Sequence, residues 1–423
     1  MKFYIYTLGC KVNTYESNVI KDKLINNGYI ESNENDADIY IINTCTVTNT
    51  SDNKSLKVVR RVLKNYPNSI VVVVGCMTQV NYKILDDLNV SIILGNSGKS
   101  KIVEYIEKYK KTNKKIVDIK DIMKSDFEDM CLSNFNKTRA FVKIEDGCEN
   151  YCSYCIIPFA RGKVRSKKPE VVINEIKNLI LDGHKEIVLT GIHTGHYGSD
   201  LNSYSFSKLL KEIEKIDGLE RLRISSIEIT ELNDEFLDVL KNSKILVDHM
   251  HIPLQSGSND ILKLMNRKYD KEYFIDKIEK IREIRPNISI TTDLIVGFPG
   301  ETLELFNETI DTIKKIKFSK IHVFPFSLRK GTKAEELPNH IDDVTKKERV
   351  KKVIELSENL EKEYFNKFIN QEVEFLPEIY REGYVIGHTG NYLQIKIKGT
   401  IEDLNIMKKV KITKIEYPYC IGK

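Results

Sequence analysis

Short apolar strand patterns alternate with helical patterns twice along this 423-residue chain, and that alternation constrains its fold more than any other feature. In the first part, β-rich runs such as KFYIYTL and SIVVVVG are separated by amphipathic helical stretches. Strands that alternate with helices form parallel sheets, because each crossover helix returns the chain to the same edge. Residues 1–118 therefore predict an open parallel α/β sheet.

A second alternation begins at Arg139, with candidate strands AFVKIE, EIVLTG, RLRISS, HMHIPL, SITTDLI and KIHVFPF. Six such units predict a partial (β/α)6 barrel over 139–360, with its chemistry at the C-terminal strand ends. The polar stretch 119–138 is predicted to be a linker. Residues 364–423 contain short alternating strands with Gly turns, which predict a small all-β barrel. The predicted fold class is therefore α/β with a closing β-barrel.

Composition narrows the class of protein. Apolar residues make up 41% and charged residues 30% of the chain, and the net charge of +5 permits a nucleic-acid partner without requiring one. No apolar run approaches the ~20 residues of a membrane span, and the first residues lack the charged and apolar regions of a signal peptide. We therefore predict a cytoplasmic protein with no membrane partner. In that compartment, eight cysteines indicate metal ligands or redox groups more than disulfides.

The segment GCENYCSYC places Cys148, Cys152 and Cys155 at spacings of four and three. A structural zinc site usually has four protein ligands, and the next His or Cys along the chain is His184. A 4Fe–4S cluster fits the spacing better, because three thiolates in a tight loop can bind three irons and leave the fourth open for a small molecule. A structural zinc site is the remaining alternative.

Cys10, Cys45 and Cys76 each come just after a predicted parallel strand. The C-terminal ends of parallel strands share one edge, where neighbouring strands are about 4.8 Å apart. Three cysteines at this position predict a second three-thiolate cluster, although free cysteines are also common as small buried apolar residues. Cys131 and Cys420 do not share the position and are predicted to be structural or exposed thiols.

These motifs together resemble the methylthiotransferase family of radical S-adenosylmethionine (SAM) enzymes. YTLGCKVNTYES, NTCTVT and VVVGCMTQ are similar to the N-terminal domain of that family, and RAFVKIEDGCENYCSYCIIPFARG is similar to its radical SAM core. TGIHTGHYG, SSIEIT, HIPLQSGS and TTDLIVGFPGET are similar to later loops of the core. The closing barrel is similar to a TRAM domain, an RNA-binding module. The resemblance covers nearly the whole chain.

The segment after Cys10 separates the subfamilies. Lys11-Val12-Asn13 most resembles members that act on threonylcarbamoyladenosine in tRNA. Members that act on isopentenyladenosine typically carry Gln-Met-Asn at these positions, and those that act on a ribosomal-protein aspartate carry Pro-Lys-Asn. These two substrates are the alternatives to the threonylcarbamoyladenosine prediction.

The resemblance implies a reaction, its cofactors and its partners. One SAM donates a methyl group to sulfur held at an auxiliary 4Fe–4S cluster on Cys10, Cys45 and Cys76. A second SAM, bound at the 4Fe–4S cluster on the other three cysteines, yields a 5′-deoxyadenosyl radical that removes hydrogen from carbon 2 of the adenine. The methylthio group is then inserted at that carbon. The implied partners are the tRNA anticodon loop and a low-potential electron donor such as flavodoxin or ferredoxin.

The resemblance also implies that SAM binds beside residues in the loops of the predicted barrel. These residues are Tyr154, Thr190, Gly191, Glu228, Gln255 and Gly297. His193, Ser226, His251 and Asp293 occupy neighbouring positions in the same loops. Arg161 and Arg165 are predicted to contact RNA, since ARGKVRSKK places five cations beside the cysteine motif, and Arg267 in MNRKY is predicted to reach the RNA as well. Each has a structural alternative, namely an ordinary turn, a solvated charge or a core residue. Tyr384 and Tyr392 fit either base stacking or the barrel core.

Overall fold

A computed structural model describes residues 1–128, 130–132, 135 and 138–423 of the chain. An open parallel sheet comes first, a set of parallel strands covered by helices follows, and a closed β-barrel ends the chain. Positions 129, 133, 134, 136 and 137 of the predicted linker lie outside the described residues. Within the described part of the chain, no helix combines the length and apolarity needed to cross a membrane.

The first sheet is parallel throughout, with strand order β2-β1-β3-β4-β5-β6. Its strands are β1 (Lys2–Thr7), β2 (Ile30–Glu31), β3 (Ile39–Thr44), β4 (Ile70–Gly75), β5 (Ile92–Leu94) and β6 (Ile116–Asp118). This confirms the predicted open parallel sheet. The sequence pattern did not predict β2 and β6, because two or three residues are too few to show an apolar run.

Helices cover both faces of this sheet, as the apolar runs of its central strands require. They are α1 (Lys11–Asn26), α2 (Asn49–Asn65), α3 (Cys76–Asn81) and α4 (Ile102–Thr112). Consecutive residues of a strand point to opposite faces, so Ile41 packs with α1 and α4 while Ile42 packs with α2. The sheet is thereby buried on both sides, and its exposed chemistry is confined to the strand ends.

The central region contains two three-stranded parallel sheets with orders β11-β10-β7 and β12-β13-β14. The strands are β7 (Arg139–Lys143), β10 (Glu186–Thr190), β11 (Arg221–Ile224), β12 (His249–His251), β13 (Ser289–Val296) and β14 (Lys320–Pro325), with the short pair β8 (Glu145–Asp146) and β9 (Arg165–Ser166) beside them. A parallel bridge from Leu222 to Leu246 joins the two sheets. The six parallel strands confirm the predicted partial barrel.

Seven helices lie between the described strands of this barrel. They are α5 (Ile157–Arg161), α6 (Pro169–Leu181), α7 (Phe206–Ile213), α8 (Asp234–Asn242), α9 (Asn259–Leu264), α10 (Lys271–Ile284) and α11 (Leu303–Ile316). The core lies between these helices and the strands, where Val172, Leu209, Ile290 and Ile313 are fully buried. Polar strand residues are thus left for the inner face of the barrel.

The predicted linker contributes to this core. Met130, Leu132 and Phe135 are buried in the same cluster as the barrel helices. The Tyr15 hydroxyl donates a hydrogen bond to the Met130 carbonyl at 2.6 Å, which ties the segment to α1. Part of the predicted linker is therefore packed against the barrel, whereas other described residues of it are exposed, namely Lys120, Asp121, Met123, Lys124, Asp126 and Cys131.

The last helix and the closing barrel follow β14. The elements are α12 (Asp343–Asn366), β15 (Glu372–Arg381), β16 (Tyr384–Thr389), β17 (Gln394–Lys398), β18 (Lys408–Glu416) and β19 (Tyr419–Gly422). The barrel order is β15-β16-β17-β19-β18, closed by pairing between β15 and β18. This confirms the predicted small all-β barrel, although β19 was not among the predicted strands. Cys420 lies in β19 and is buried in the barrel core.

Helix α12 runs along both barrels. Ser357 accepts a hydrogen bond from the Ile321 amide of β14 at 2.9 Å, while Phe365 packs in the core of the closing barrel. Glu361 accepts hydrogen bonds from Lys320 at 2.9 Å and from Tyr417 at 2.8 Å. The helix thus crosses the boundary predicted between 360 and 364 and joins the two barrels.

The closing barrel lies against the N-terminal ends of the central strands. Arg139, the first residue of β7, donates to the Tyr392 hydroxyl at 2.8 Å and to Glu378 at 3.0 Å. Arg221, the first residue of β11, donates to the His388 carbonyl at 3.1 Å and to the Glu374 carbonyl at 2.8 Å. The opposite, C-terminal strand ends are left facing the first sheet.

Candidate metal centre

The structure brings together Cys10, Cys45 and Cys76, here called the sheet trio. Thr44 of β3 pairs with Gly75 of β4, so Cys45 and Cys76 leave adjacent strands side by side. Burial raises the pKa of the Cys45 thiol, and the nearby Cys76 and Cys10 thiols raise it further. Strand register therefore gathers three thiols at one edge of the sheet. Their role as metal ligands is treated below as a proposal.

Cys148, Cys152 and Cys155, here called the loop trio, lie between β8 and α5. The Cys155 amide donates to the Cys152 carbonyl at 2.9 Å, and the Cys148 amide donates to the Gly162 carbonyl at 3.0 Å. Burial raises the pKa of the Cys155 thiol to about 12, with a further contribution from Cys152. The loop is thus folded back on itself with its thiols turned to a common region.

A glycine with positive φ precedes three of the six cysteines. Gly9, Gly75 and Gly147 have φ values of 104°, 113° and 92°. An added Cβ at Gly9 would lie 2.8 Å from the Cβ of Cys45, and one at Gly75 would lie 2.6 Å from the Thr44 carbonyl oxygen. At Gly147 it would lie 1.8 Å from a backbone oxygen. Both trios are therefore built on close backbone approaches that only glycine permits.

The sulfur spacing tests a single-ion site against a cluster. Ligand sulfurs about 2.3 Å from a tetrahedral zinc ion lie roughly 3.8 Å from one another. In the described part of the chain, neither trio forms a group whose ligand atoms all lie within 4.8 Å of one another. Three gathered thiols at this wider spacing leave room for a polynuclear iron–sulfur cluster, which is treated below as a proposal.

Arg161 contacts both halves of the site. Its Nε donates to the Cys76 Sγ at 3.2 Å, and its Nη2 donates to the Asn13 Oδ1 at 2.7 Å. Its Nη1 reaches Glu16 and, at 3.2 Å, Asp146. The side chain is completely buried. The RNA contact predicted for Arg161 is therefore wrong, because the guanidinium lies between the first sheet and the barrel.

Two carboxylates and three cations form a buried network around Arg161. Glu16 of α1 pairs with Lys99, with Arg161 and, at 2.8 Å, with Lys143. Asp146 pairs with Lys143 at 2.6 Å. Burial opposes ionisation of both acids, but the cations outweigh it and lower the pKa of Asp146 to about 2. The pKa of Glu16 is lowered for the same reason.

Arg267 supports the loop trio in a similar way. Its Nη1 donates to the Cys152 Sγ at 3.2 Å, its Nη2 pairs with Glu228, and its Nε donates to the Tyr269 hydroxyl at 3.2 Å. Only 3% of the side chain is exposed. Glu228 is thus engaged by Arg267, and the RNA contact predicted for Arg267 stays a prediction.

Arg165 was the third residue predicted to contact RNA. Its Nη2 donates to the Arg161 carbonyl at 2.6 Å and its Nη1 donates to the Ser125 carbonyl at 3.3 Å. Its side chain is 11% exposed, so it ties β9 to neighbouring backbone and presents little surface to a nucleic acid. Within the same basic run Lys163 and Lys168 are exposed, and the RNA contact of Arg165 stays a prediction.

The residues predicted to bind SAM all lie at or just after the C-terminal ends of strands. Tyr154 packs edge-on against Phe298, with ring centroids 6.3 Å apart. Gln255 and Gly297 have φ values of 64° and 71° and follow β12 and β13. Thr190 ends β10, Gly191 follows it, and Glu228 lies in the loop after β11. Of this set, Tyr154 lies in the loop of the trio and Glu228 is linked to Cys152 through Arg267, and the SAM contacts themselves stay predictions.

One buried acid near the loop trio was missed by sequence reasoning. Glu145 of β8 accepts a hydrogen bond from the His193 amide at 2.7 Å, and its second oxygen is buried without a partner among the described residues. Burial raises its pKa well above the usual range. His193 in turn lies 3.8 Å from the Cys148 sulfur. The signal was an acidic pair directly before Gly147, within an otherwise apolar strand.

Family models match two parts of the chain. Residues 142–313 match the radical SAM superfamily, and residues 2–95 match a family described as uncharacterized protein family UPF0004. The chain is 44% identical to the threonylcarbamoyladenosine tRNA methylthiotransferase MtaB of Bacillus subtilis, over 99% of this chain and 95% of that protein. It is 36% identical to the tRNA-2-methylthio-N(6)-dimethylallyladenosine synthase of Natranaerobius thermophilus, over 98% and 94%.

Solved structures share the fold at low identity. The radical S-adenosylmethionine methyltransferase TsrM from Kitasatospora setae has a TM-score of 0.56 and 13% identity, covering 76% of this chain and 72% of that chain. The cobalamin-dependent S-adenosylmethionine radical enzyme OxsB has a TM-score of 0.52 and 14% identity, covering 85% and 56%. At these identities the likeness concerns the fold alone.

Proposed function

Since this chain belongs to the radical SAM tRNA methylthiotransferase family, we propose that it methylthiolates carbon 2 of threonylcarbamoyladenosine, next to the anticodon of tRNA. The observation that carries the proposal is the link between the two cysteine trios. Arg161, six residues after Cys155, donates a hydrogen bond to the Cys76 sulfur. Two sulfur-ligated centres joined in this way suit a reaction that both activates a C–H bond and inserts sulfur.

The target bond explains why two centres are needed. The hydrogen on carbon 2 of an adenine is not acidic enough for a side-chain base, so its removal needs radical chemistry supplied by a cofactor. A 4Fe–4S cluster on the loop trio would supply one-electron cleavage of SAM, and a second on the sheet trio would hold the sulfur to be transferred.

The protein's own residues hold and tune these centres. The loop trio and the sheet trio provide three thiolates each. Arg267 and Arg161 each donate a hydrogen bond to one sulfur of a trio, as they would to a metal-bound thiolate. Glu228, Glu16 and Asp146 balance these arginines, so each guanidinium is fixed in place. The proposed reaction requires tRNA and a low-potential electron donor such as flavodoxin or ferredoxin as partners. Since the substrate is tRNA, we propose that the enzyme acts in the cytoplasm.

Nucleoside mass analysis of tRNA from a deletion strain tests the function. The expected result is threonylcarbamoyladenosine without its 2-methylthio form, restored when the gene is returned. An unchanged threonylcarbamoyl profile with loss of 2-methylthio-isopentenyladenosine would assign the other tRNA substrate. An unchanged profile for both nucleosides would contradict the proposal.

A further inference from the structure

A cavity of about 510 Å³ lies between the inner face of the central barrel and the closing barrel. His249, His251, Thr291 and Asp293 line it from β12 and β13, and Tyr392 lines it from the closing barrel. The strand residues that alternate with these pack under the helices, so the polar side chains face the lumen. Cavities of roughly 300–1,000 Å³ hold small-molecule-sized ligands, and a modified nucleobase is of that size.

Lys11 also lines this cavity. It is the first residue of α1 and directly follows Cys10 of the sheet trio, so the two Cα atoms are about 3.8 Å apart. The cavity is therefore lined by the residue that directly follows a member of the sheet trio. Across the described residues, the Lys11 ammonium has no hydrogen bond or ion pair.

The charged groups around Lys11 are otherwise matched. Arg139 donates to the Tyr392 hydroxyl at 2.8 Å and pairs with Glu378 at 3.0 Å. The Arg223 guanidinium lies 4.4 Å from the centre of the Tyr392 ring and pairs with Glu186 at 2.7 Å. Both arginines thus have a carboxylate partner, although Glu186 also pairs with Arg221 at 3.8 Å, whereas Lys11 has none among the described residues.

The cations on this wall of the cavity shift the pKa of the neighbouring Tyr392. Burial would raise the pKa of the Tyr392 phenol, yet Arg139, Arg223 and Lys11 together lower it. A wall that brings Lys11 together with two arginines is suited to bind an anion.

We propose that Lys11 binds the carboxylate of the threonylcarbamoyl group and selects adenosines that carry it, an inference that rests on the proposed function. The threonylcarbamoyl substituent is attached to N6 of the adenine and ends in a carboxylate, whereas an isopentenyl substituent has no charge. Carbon 2 and carbon 6 flank N1 on one edge of the base. The N6 substituent therefore lies on the same edge of the base as carbon 2. When carbon 2 faces sulfur at the sheet trio, we place this substituent beside Lys11, the residue after Cys10.

The test compares two anticodon stem-loop RNAs with four forms of the enzyme. One RNA carries threonylcarbamoyladenosine, and the other carries its methyl ester, which lacks the negative charge. The enzymes are the wild type, Lys11→Met, Lys11→Arg and the control Lys21→Met. Lys21 lies on the same helix, but its ammonium pairs with Glu31 at 2.6 Å, away from the cavity. Each preparation is reconstituted anaerobically and assayed for kcat/KM of methylthiolation on both RNAs.

We expect the wild type to prefer the acid over the ester by about 10–100-fold, the range of a charge-assisted hydrogen bond. Lys11→Met should lose this preference by losing rate on the acid only. Lys11→Arg should keep most of it, because its cation remains, and Lys21→Met should match the wild type. The ratio is measured within one preparation, so partial loss of iron near Cys10 does not affect it.

Two outcomes would overturn the inference. If Lys11→Met slows both RNAs equally, Lys11 serves the phosphate backbone or the cluster instead of the carboxylate. If Lys11→Met keeps the wild-type preference for the acid over the ester, another residue recognises the carboxylate. Failure of the proposed function is distinct, because the wild type would then convert neither RNA.

Discussion

The two cysteine trios reach the same interface by opposite routes. The loop trio lies within eight positions, Cys148 to Cys155, and its geometry is set by local turns. The sheet trio is spread from Cys10 to Cys76 and is assembled by the register of neighbouring parallel strands. A spacing motif thus reveals one centre, while the other is recognised only once the sheet topology is known.

Their surroundings are nevertheless alike. One sulfur of each trio accepts a hydrogen bond from a buried arginine at 3.2 Å, Cys76 from Arg161 and Cys152 from Arg267. Each arginine is held by carboxylates. The difference is that Arg161 comes from the loop segment and contacts the sheet trio, whereas Arg267 stays within the barrel. The sheet trio therefore depends on the barrel for its environment.

The strongest test of the comparison removes one cysteine from each trio. Cys148→Ala should reduce 5′-deoxyadenosine formation from SAM to background, because we propose that the loop trio holds the cluster that cleaves SAM. Cys76→Ala should keep 5′-deoxyadenosine formation but yield no methylthiolated tRNA. Each variant should retain about four of about eight irons. Loss of 5′-deoxyadenosine in both variants would show that the two trios do not have separate roles.

The next test breaks the link between the trios. Arg161→Met leaves Glu16 and Asp146 with fewer buried partners, and breaking a buried ion pair costs about 3–5 kcal/mol of unfolding free energy. Urea unfolding should show that loss. The control is Arg61→Met, whose surface ion pair with Glu34 at 3.4 Å contributes little. Equal stability of the two variants would mean that Arg161 does not join the sheet to the barrel.

Two glycines allow the stability cost of a left-handed backbone to be measured apart from the cost of a steric clash. Gly147 and Gly183 have similar φ values of 92° and 96°, but an added Cβ meets a backbone oxygen at 1.8 Å in the first and nothing within 4 Å in the second. Gly183→Ala should cost about 1–2 kcal/mol, the left-handed penalty alone. Gly147→Ala should cost more and lose iron from the loop trio, measured by thermal unfolding and iron content. Retained iron in Gly147→Ala would contradict the close-approach argument.

The smallest expected effect is on acid stability. The buried cations lower the pKa of Glu16 in the folded protein. Ionised Glu16 therefore adds to the free energy of unfolding above about pH 4.3, the pKa of a glutamate in the unfolded chain. This contribution is lost as the pH falls below that value. Between pH 5 and about 3, the unfolding free energy of iron-free wild type should fall more steeply than that of Glu16→Gln. Glu355→Gln, on the exposed face of α12, should follow the wild type; equal slopes for all three would argue against the lowered pKa.

The sequence predicted the parallel sheet, the partial barrel and the closing barrel, because their strand patterns are local. It also placed all six cysteines correctly at strand ends and in one loop. It did not predict the burial of Arg161 and Arg267, since their partners lie 145 and 115 positions away in Glu16 and Cys152. A run such as ARGKVRSKK is typical of a solvated surface, and only the packing of the first sheet against the central barrel shows which of its cations are buried. The short strands β2, β6 and β19 were missed because pairing, not composition, defines them.

Helix α12 has a mechanical consequence. Its 24 residues span about 36 Å and pack on β14 at one end and in the closing barrel at the other. The closing barrel is therefore braced to the catalytic barrel and is not a tethered module that searches for its ligand. An RNA that touches both barrels meets surfaces whose separation is already fixed. It binds without the entropic cost of ordering a linker, but its own shape must match that separation.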